Sequence, residues 1–257
     1  MLSQRLLRSA LGLALCLALA FVTLALADDP PQDKNDPYAA ARNKMVERHL
    51  AERGIKNPRV LEAFRTVPRH MFLPPGSNRM PYEDESIPIG EGQTLTPPFD
   101  VAFMTEVLNP QPDERIYEVG TGSGYQASIL SRLAKDVYSV EIKPPLGARA
   151  AALIKKLGYT NIHTRVGDGY EGWPEASPFD AIIVTCAPEE VPPPLVEQLK
   201  EGGRMVIPLG TRFEQKVWLM VKRNGKLETK KALKPTLFVP MTGKAQEEAK
   251  KRKAEKP

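Results

Sequence analysis

Residues 115–124 read Arg-Ile-Tyr-Glu-Val-Gly-Thr-Gly-Ser-Gly, and this stretch decides the fold. Residues 115–119 form a short apolar run of strand length. Gly120, Gly122 and Gly124 interrupt it, and a helical pattern follows over residues 124–134. A strand that passes through a glycine turn into a helix lets a ligand approach the backbone closely, beneath a helix N-terminus. The spacing is G-x-G-x-G. A dinucleotide fingerprint requires G-x-G-x-x-G, and here Gly124 comes one place early.

Downstream the rhythm continues. Strands are predicted over residues 137–142, 161–166 and 179–185, the last the most apolar, with helices over 145–157 and 194–200 between and after them. Residues 204–208, 216–222 and 237–240 supply later strands separated only by turns. Alternation of this kind predicts an α/β fold with a mostly parallel sheet and helices on both faces, and the late strands predict an antiparallel edge. Upstream, helices are predicted over 39–53 and 58–66. Residues 67–96, rich in proline and glycine, should be extended or looped. A helix over 97–108 should be capped by Thr96, whose side chain would accept from the Phe99 N–H.

The chain therefore divides into one domain, residues 38–243, with N-terminal helices and a substrate segment at 38–108 and a cofactor-binding core at 109–243. Residues 28–37 form a polar, proline-rich linker. Residues 1–27 read as a signal peptide: Arg5 and Arg8, an apolar run, then Ala25-Leu26-Ala27 before two aspartates. The expected location is periplasmic or secreted; left uncleaved, the same run would anchor the chain to a membrane. The tail, 244–257, has no aliphatic residue larger than alanine, so it should be disordered or a solvated helix.

Charge excludes one class of partner. The net +5 of the chain is concentrated at its two ends, where residues 1–27 carry +2 and residues 244–257 carry +3. The 216 residues between sum to about zero, which gives no basic footprint for nucleic acid. After signal cleavage only Cys186 remains, so no internal disulfide can form, and the three histidines stand outside every motif, so no metal site is expected.

The chemistry-bearing residues follow the strand ends. Glu141 closes the second core strand, where an acid can accept from both hydroxyls of a ribose. Asp168 and Gly169 sit in Gly167-Asp168-Gly169 after the third. G-x-G-x-G after an acidic residue resembles the first motif of class I methyltransferases that use S-adenosylmethionine (SAM). A second stretch, Ile87-Pro88-Ile89-Gly90-Glu91-Gly92-Gln93-Thr94-Leu95-Thr96, is more specific. It resembles the segment before the catalytic helix in the protein-L-isoaspartate (D-aspartate) O-methyltransferases. Residues 118–126, 165–169, 179–187 and Phe238-Val239-Pro240 extend the likeness, which covers about residues 43–242.

That resemblance implies a Rossmann-like fold and SAM as cofactor, held by Thr94, Gly120, Gly122, Gly124, Glu141, Asp168 and Gly169, with Asp168 near the adenine. It implies methylation of the free α-carboxylate of isoaspartyl residues in damaged peptides and proteins, with the ester collapsing to a succinimide that partly reopens as normal aspartate. It places the catalytic hydroxyl at Thr96, where the family usually has serine. It also implies a monomer, and, as for the family, a cytoplasmic location is the alternative to export. Two other functions compete: methylation of a different carboxylate or small molecule, and a non-catalytic binding module that keeps the fold.

Overall fold

The fold is that of a computed structural model describing residues 36–211 and 213–255. The signal-peptide expectation and most of the linker lie outside the described residues. The first helix, α1 (Ala39–Met45), continues into a π-helical turn, Val46–Ala51, and α2 spans Pro58–Thr66 with Asn57 Oδ1 accepting from the Arg59 N–H. A 3-10 turn at Arg69–Phe72 leads to a small hairpin, β1 (Ile87–Gly90) and β2 (Gln93–Leu95), and then to α3 (Pro98–Leu108).

The core alternates as its sequence predicts: β3 (Arg115–Val119), α4 (Tyr125–Ser131), β4 (Asp136–Glu141), α5 (Pro144–Lys156), β5 (Ile162–Val166), β6 (Phe179–Val184), α6 (Pro193–Gln198) and β7 (Leu199–Gly210). Two long strands follow, β8 (Gln215–Arg223) and β9 (Lys226–Thr236), and the chain ends in α7 (Lys244–Ala254). One seven-stranded sheet results, in the order β5-β4-β3-β6-β7-β8-β9, parallel through β7 and antiparallel beyond it.

Strand β6 shows why the sheet is doubly covered. Ala181 and Ile183 pack with Met104 and Leu108 of α3 and Leu130 of α4, whereas Ile182 and Val184 pack with Leu195 of α6, Met241 and Ala245. Every residue of the strand but Asp180 is buried, which is what a continuous apolar run between two helical layers requires. The N-terminal helices and the hairpin share their own apolar cluster with Tyr125, Ile129 and Leu146, so the substrate segment is packed onto the core by side chains of α4 and α5.

Two sequence expectations are corrected here, and a third is narrowed. Residues 237–240 are not a strand: Pro240 makes one isolated parallel bridge to Ala187, and Leu237 is 75% exposed. The last strand is β9 instead, whose charged sequence hides it because most of its residues are exposed at the sheet edge, where lysines are tolerated and discourage further pairing. Of the two alternatives for the tail, residues 244–254 take the helical one. The Asp168 carboxylate accepts from the Lys244 N–H at 2.8 Å, and Lys253 and Arg252 pair with Glu189 and Glu190. Finally, Thr96 does not cap α3. The helix begins at Pro98, and Asp84 Oδ1 accepts from the Phe99 N–H at 2.8 Å.

Candidate active site

The sheet order reverses between β3 and β6, and a crevice opens outside the carboxyl ends of the strands at such a switch point. The loop after β3 supplies its floor. Gly120 has φ of 95°, and a Cβ there would lie 2.5 Å from Thr185 Oγ1, which itself donates to the Val119 and Gly120 carbonyls. Glycine is thus required both by the backbone and by the close approach of β6. Gly122 and Gly124 continue the turn at φ of 56° and 89°.

Glu141, at the end of β4, is buried and accepts two backbone N–H bonds, one per oxygen: Gly122 at 2.7 Å and Lys143 at 2.9 Å. A carboxylate offers about four lone-pair positions. Two remain, one on each oxygen, which suits a pair of neighbouring hydroxyls on a ribose. Asp168, after β5, is likewise committed, with Oδ1 taking the Tyr170 N–H at 2.9 Å and Oδ2 the Lys244 N–H. Gly169 is required beneath it, since a Cβ there would meet Val119 Cγ1 at 2.5 Å.

These residues line one cleft of about 900 Å³, a volume that includes open solvent. Gly120, Gly122, Glu141, Asp168 and Gly169 all face it, as do Thr94 and Thr96 from the hairpin; Gly124 turns the chain into α4 and packs near Ala150 and Ile154 instead. The positive-φ loop, its satisfied N–H groups and two pre-oriented carboxylates fit a nucleoside-bearing ligand. Cys186 also lines the cleft, where burial, together with the charges of Glu141 and Asp168, pushes its thiol well above the usual range, so it stays protonated. Among the described residues no group of three or more His, Cys, Asp or Glu could hold a metal ion.

Behind the loop lies a buried chain that the sequence did not single out. The Thr121 and Ser139 hydroxyls are 2.6 Å apart, and Ser139 Oγ donates to Glu118 Oε2 at 2.5 Å. Glu118 is fully buried and its other oxygen has no partner. Burial raises its pKa from 4.5 to about 8, against the Ser139 hydrogen bond and with help from the Glu141 charge, so the carboxyl is neutral at pH 7.

A second, more open groove of about 1,360 Å³ including solvent adjoins the first. Thr94, Thr96, Thr185, Phe238 and Val239 line both. Its far wall comes from β8, β9 and the segment after them, where Lys234 pairs with Asp100 and packs over the rings of Phe99 and Phe103. The segment carrying Phe238 and Val239 is tied down by backbone: the Ala187 N–H donates to the Val239 carbonyl at 2.8 Å and the Met241 N–H to the Ala187 carbonyl at 2.9 Å. Thr96 stands where the two spaces meet. Its hydroxyl makes no hydrogen bond among the described residues, while its carbonyl accepts from Arg69 Nη2 at 2.9 Å. Asp84, Arg69 and Lys234 escaped sequence reading because nothing local marks them; each acts on a residue more than ten positions away.

Comparison with known proteins agrees with this geometry. The sequence pattern of the protein-L-isoaspartate(D-aspartate) O-methyltransferase family matches residues 40–246. Protein-L-isoaspartate O-methyltransferase 2 of Shewanella sediminis is 48% identical over 230 residues, 88% of this chain and 94% of that one. The protein-L-isoaspartate O-methyltransferase of Opitutus terrae is 52% identical over 204 residues, 78% of this chain and 86% of its own. A solved protein-L-isoaspartate O-methyltransferase superposes with a TM-score of 0.72 at 31% identity, covering 79% of this chain and 66% of that structure. One from Plasmodium falciparum, in complex with S-adenosyl-L-homocysteine, superposes with a TM-score of 0.68 at 25% identity, covering 78% and 98%.

Proposed function

The chain belongs to the protein-L-isoaspartate(D-aspartate) O-methyltransferase family, and we propose that its Thr96 hydroxyl orients the α-carboxylate of an isoaspartyl peptide for methylation. It is a SAM-dependent methyltransferase that initiates repair of isoaspartyl proteins. One observation carries the assignment of roles: Thr96 lies on the shared boundary of a cleft suited to a nucleoside and a more open groove suited to a peptide.

The chemistry asks little of the side chains. An α-carboxyl has a pKa of about 3.5, so the nucleophile is ionised at neutral pH without a general base. SAM supplies a methyl group already activated on sulfonium. The protein's task is alignment, which can supply several kcal/mol of barrier reduction. Glu141 holds the ribose hydroxyls, Asp168 lies toward the adenine, and the loop from Gly120 to Gly124 gives the ligand room against the backbone. Thr94 flanks the cofactor from the hairpin. The unbonded Thr96 hydroxyl donates to the carboxylate.

The deciding assay is methyl transfer to a purified isoaspartyl peptide beside its normal-aspartyl twin. Transfer to the isoaspartyl peptide alone is expected; equal transfer to both, or to neither, overturns the reading. Export is proposed from residues 1–27, with the mature chain starting at Asp28. N-terminal sequencing of native protein tests it, and Met1 retained in a soluble cytoplasmic fraction refutes it.

A further inference from the structure

Arg69 is the largest side chain with no solvent exposure, at 0%. Among the described residues it has no carboxylate within ion-pairing distance. A guanidinium buried without a directly paired carboxylate, with Asp84 acting on it only from a distance, is destabilising unless its donors find acceptors, and an apolar side chain of similar volume would fill the same space without that penalty. Its partners are therefore informative. Nε donates to the Pro81 carbonyl at 2.8 Å and Nη2 to the Thr96 carbonyl at 2.9 Å. The Tyr125 ring centroid lies 4.8 Å from Cζ, and Nη1 has no hydrogen-bond partner.

The two acceptors bracket residues 81–96, the excursion that contains the β1-β2 hairpin. Tyr125 is the first residue of α4, directly after Gly124. One rigid fork thus joins the entry of the hairpin, its exit at Thr96, and the helix that leaves the glycine loop. Asp84 acts on the same junction from the other side, by capping α3 and pairing with Arg53, which packs over Phe99 at 3.7 Å.

We propose that Arg69 is a positioning residue for methyl transfer, fixing the Thr96 peptide plane so that the Thr96 hydroxyl stands at a set distance from the cofactor cleft. This rests on the role given to Thr96 above. Arg69 lines neither the cleft nor the groove. It acts because rotation of the Thr96 carbonyl would swing the Thr96 side chain, and a misplacement of about 1 Å at a reacting group can lower turnover about 100-fold.

Arg69→Lys keeps the charge but loses the planar fork that serves two carbonyls at once. Its kcat on isoaspartyl peptide should fall about 10- to 100-fold, with KM for the peptide and affinity for S-adenosylhomocysteine changed less than about threefold. In a Thr96→Val background, Arg69→Lys should lower kcat no further, because both changes act through one hydroxyl. Wild-type kcat in Arg69→Lys, or losses that multiply in the double variant, overturn the proposal. The reading beneath it fails separately: if Thr96→Val alone leaves kcat intact, Thr96 has no catalytic role, whereas a loss in Thr96→Val with none in Arg69→Lys removes only Arg69. Calorimetry with S-adenosylhomocysteine and melting curves report folding, and Arg69→Gln gives a second, uncharged donor. Should neither variant melt cooperatively even with saturating S-adenosylhomocysteine, Arg69 serves the fold alone and the proposal is overturned.

Discussion

The cofactor side and the substrate side of this site are built by different means. On the cofactor side the glycines and the two carboxylates come from short loops at consecutive strand ends, and the carboxylates are locked by backbone donors: Glu141 by Gly122 and Lys143, Asp168 by Tyr170 and Lys244. On the substrate side, Thr96 belongs to a hairpin segment held by distant side chains, Arg69 and Asp84, and its hydroxyl is left unbonded. The first half is pre-formed by sheet topology. The second is assembled by tertiary contacts and leaves the Thr96 hydroxyl uncommitted. Damage to the first should therefore appear in binding, and damage to the second in turnover.

The sharpest way to break this contrast is Thr96→Val. Turnover should fall by about one to three orders of magnitude, the scale of losing one oriented donor, with cofactor affinity unchanged. Because Asp84 and not Thr96 caps α3, the melting temperature should hold. A drop in melting temperature that accounts for the lost activity would return Thr96 to a structural role. Glu141→Ala should do the reverse. S-adenosylhomocysteine affinity should weaken by about 1–3 kcal/mol, since the Gly122 and Lys143 N–H groups lose their acceptor along with the ligand hydroxyls. Calorimetry showing unchanged affinity would remove Glu141 from the site.

Glu118 offers a pH axis. Folding raises its pKa from 4.5 to about 8, so the native state binds the proton more tightly than the unfolded chain. Its contribution is fully present below pH 4.5 and is lost as pH rises to about 8. Glu118→Gln, neutral at every pH, should remove this slope, so that its melting temperature gains on wild type between pH 5 and 8.5. Parallel melting curves across that range would show that Glu118 is not held protonated. The smallest effect is expected of Thr96→Ser, which keeps the donor and loses one methyl: kcat should stay within about threefold, and a larger loss would mean the methyl is needed to fix the rotamer.

How far the sequence could be read follows the same division. Strand β3 and the helix α2 match their predicted bounds residue for residue, and the Gly120–Gly124 turn and Glu141 were legible because the features that specify them lie within a few neighbours. Strand β9 was illegible because an exposed edge strand needs no apolar alternation. The α3 cap was misassigned because Thr-Pro is a good local cap, yet Asp84, fourteen positions before the helix start, takes the donor. Arg69 gave no signal, since a buried arginine looks like any other arginine until its two carbonyl partners come together.

The bond from Asp168 to the first N–H of α7 makes the far end of the chain a lever mounted on the cofactor cleft. Any ligand group that competes for that carboxylate oxygen pulls on a helix of eleven residues that is also held by buried Ala245, by the Lys244–Glu171 pair and by surface ion pairs at Glu189 and Glu190. A fluorophore placed on Lys253 would then act as an optical gauge of occupancy, its anisotropy changing when S-adenosylhomocysteine is added. A purification handle at the same end would load that lever before any measurement began.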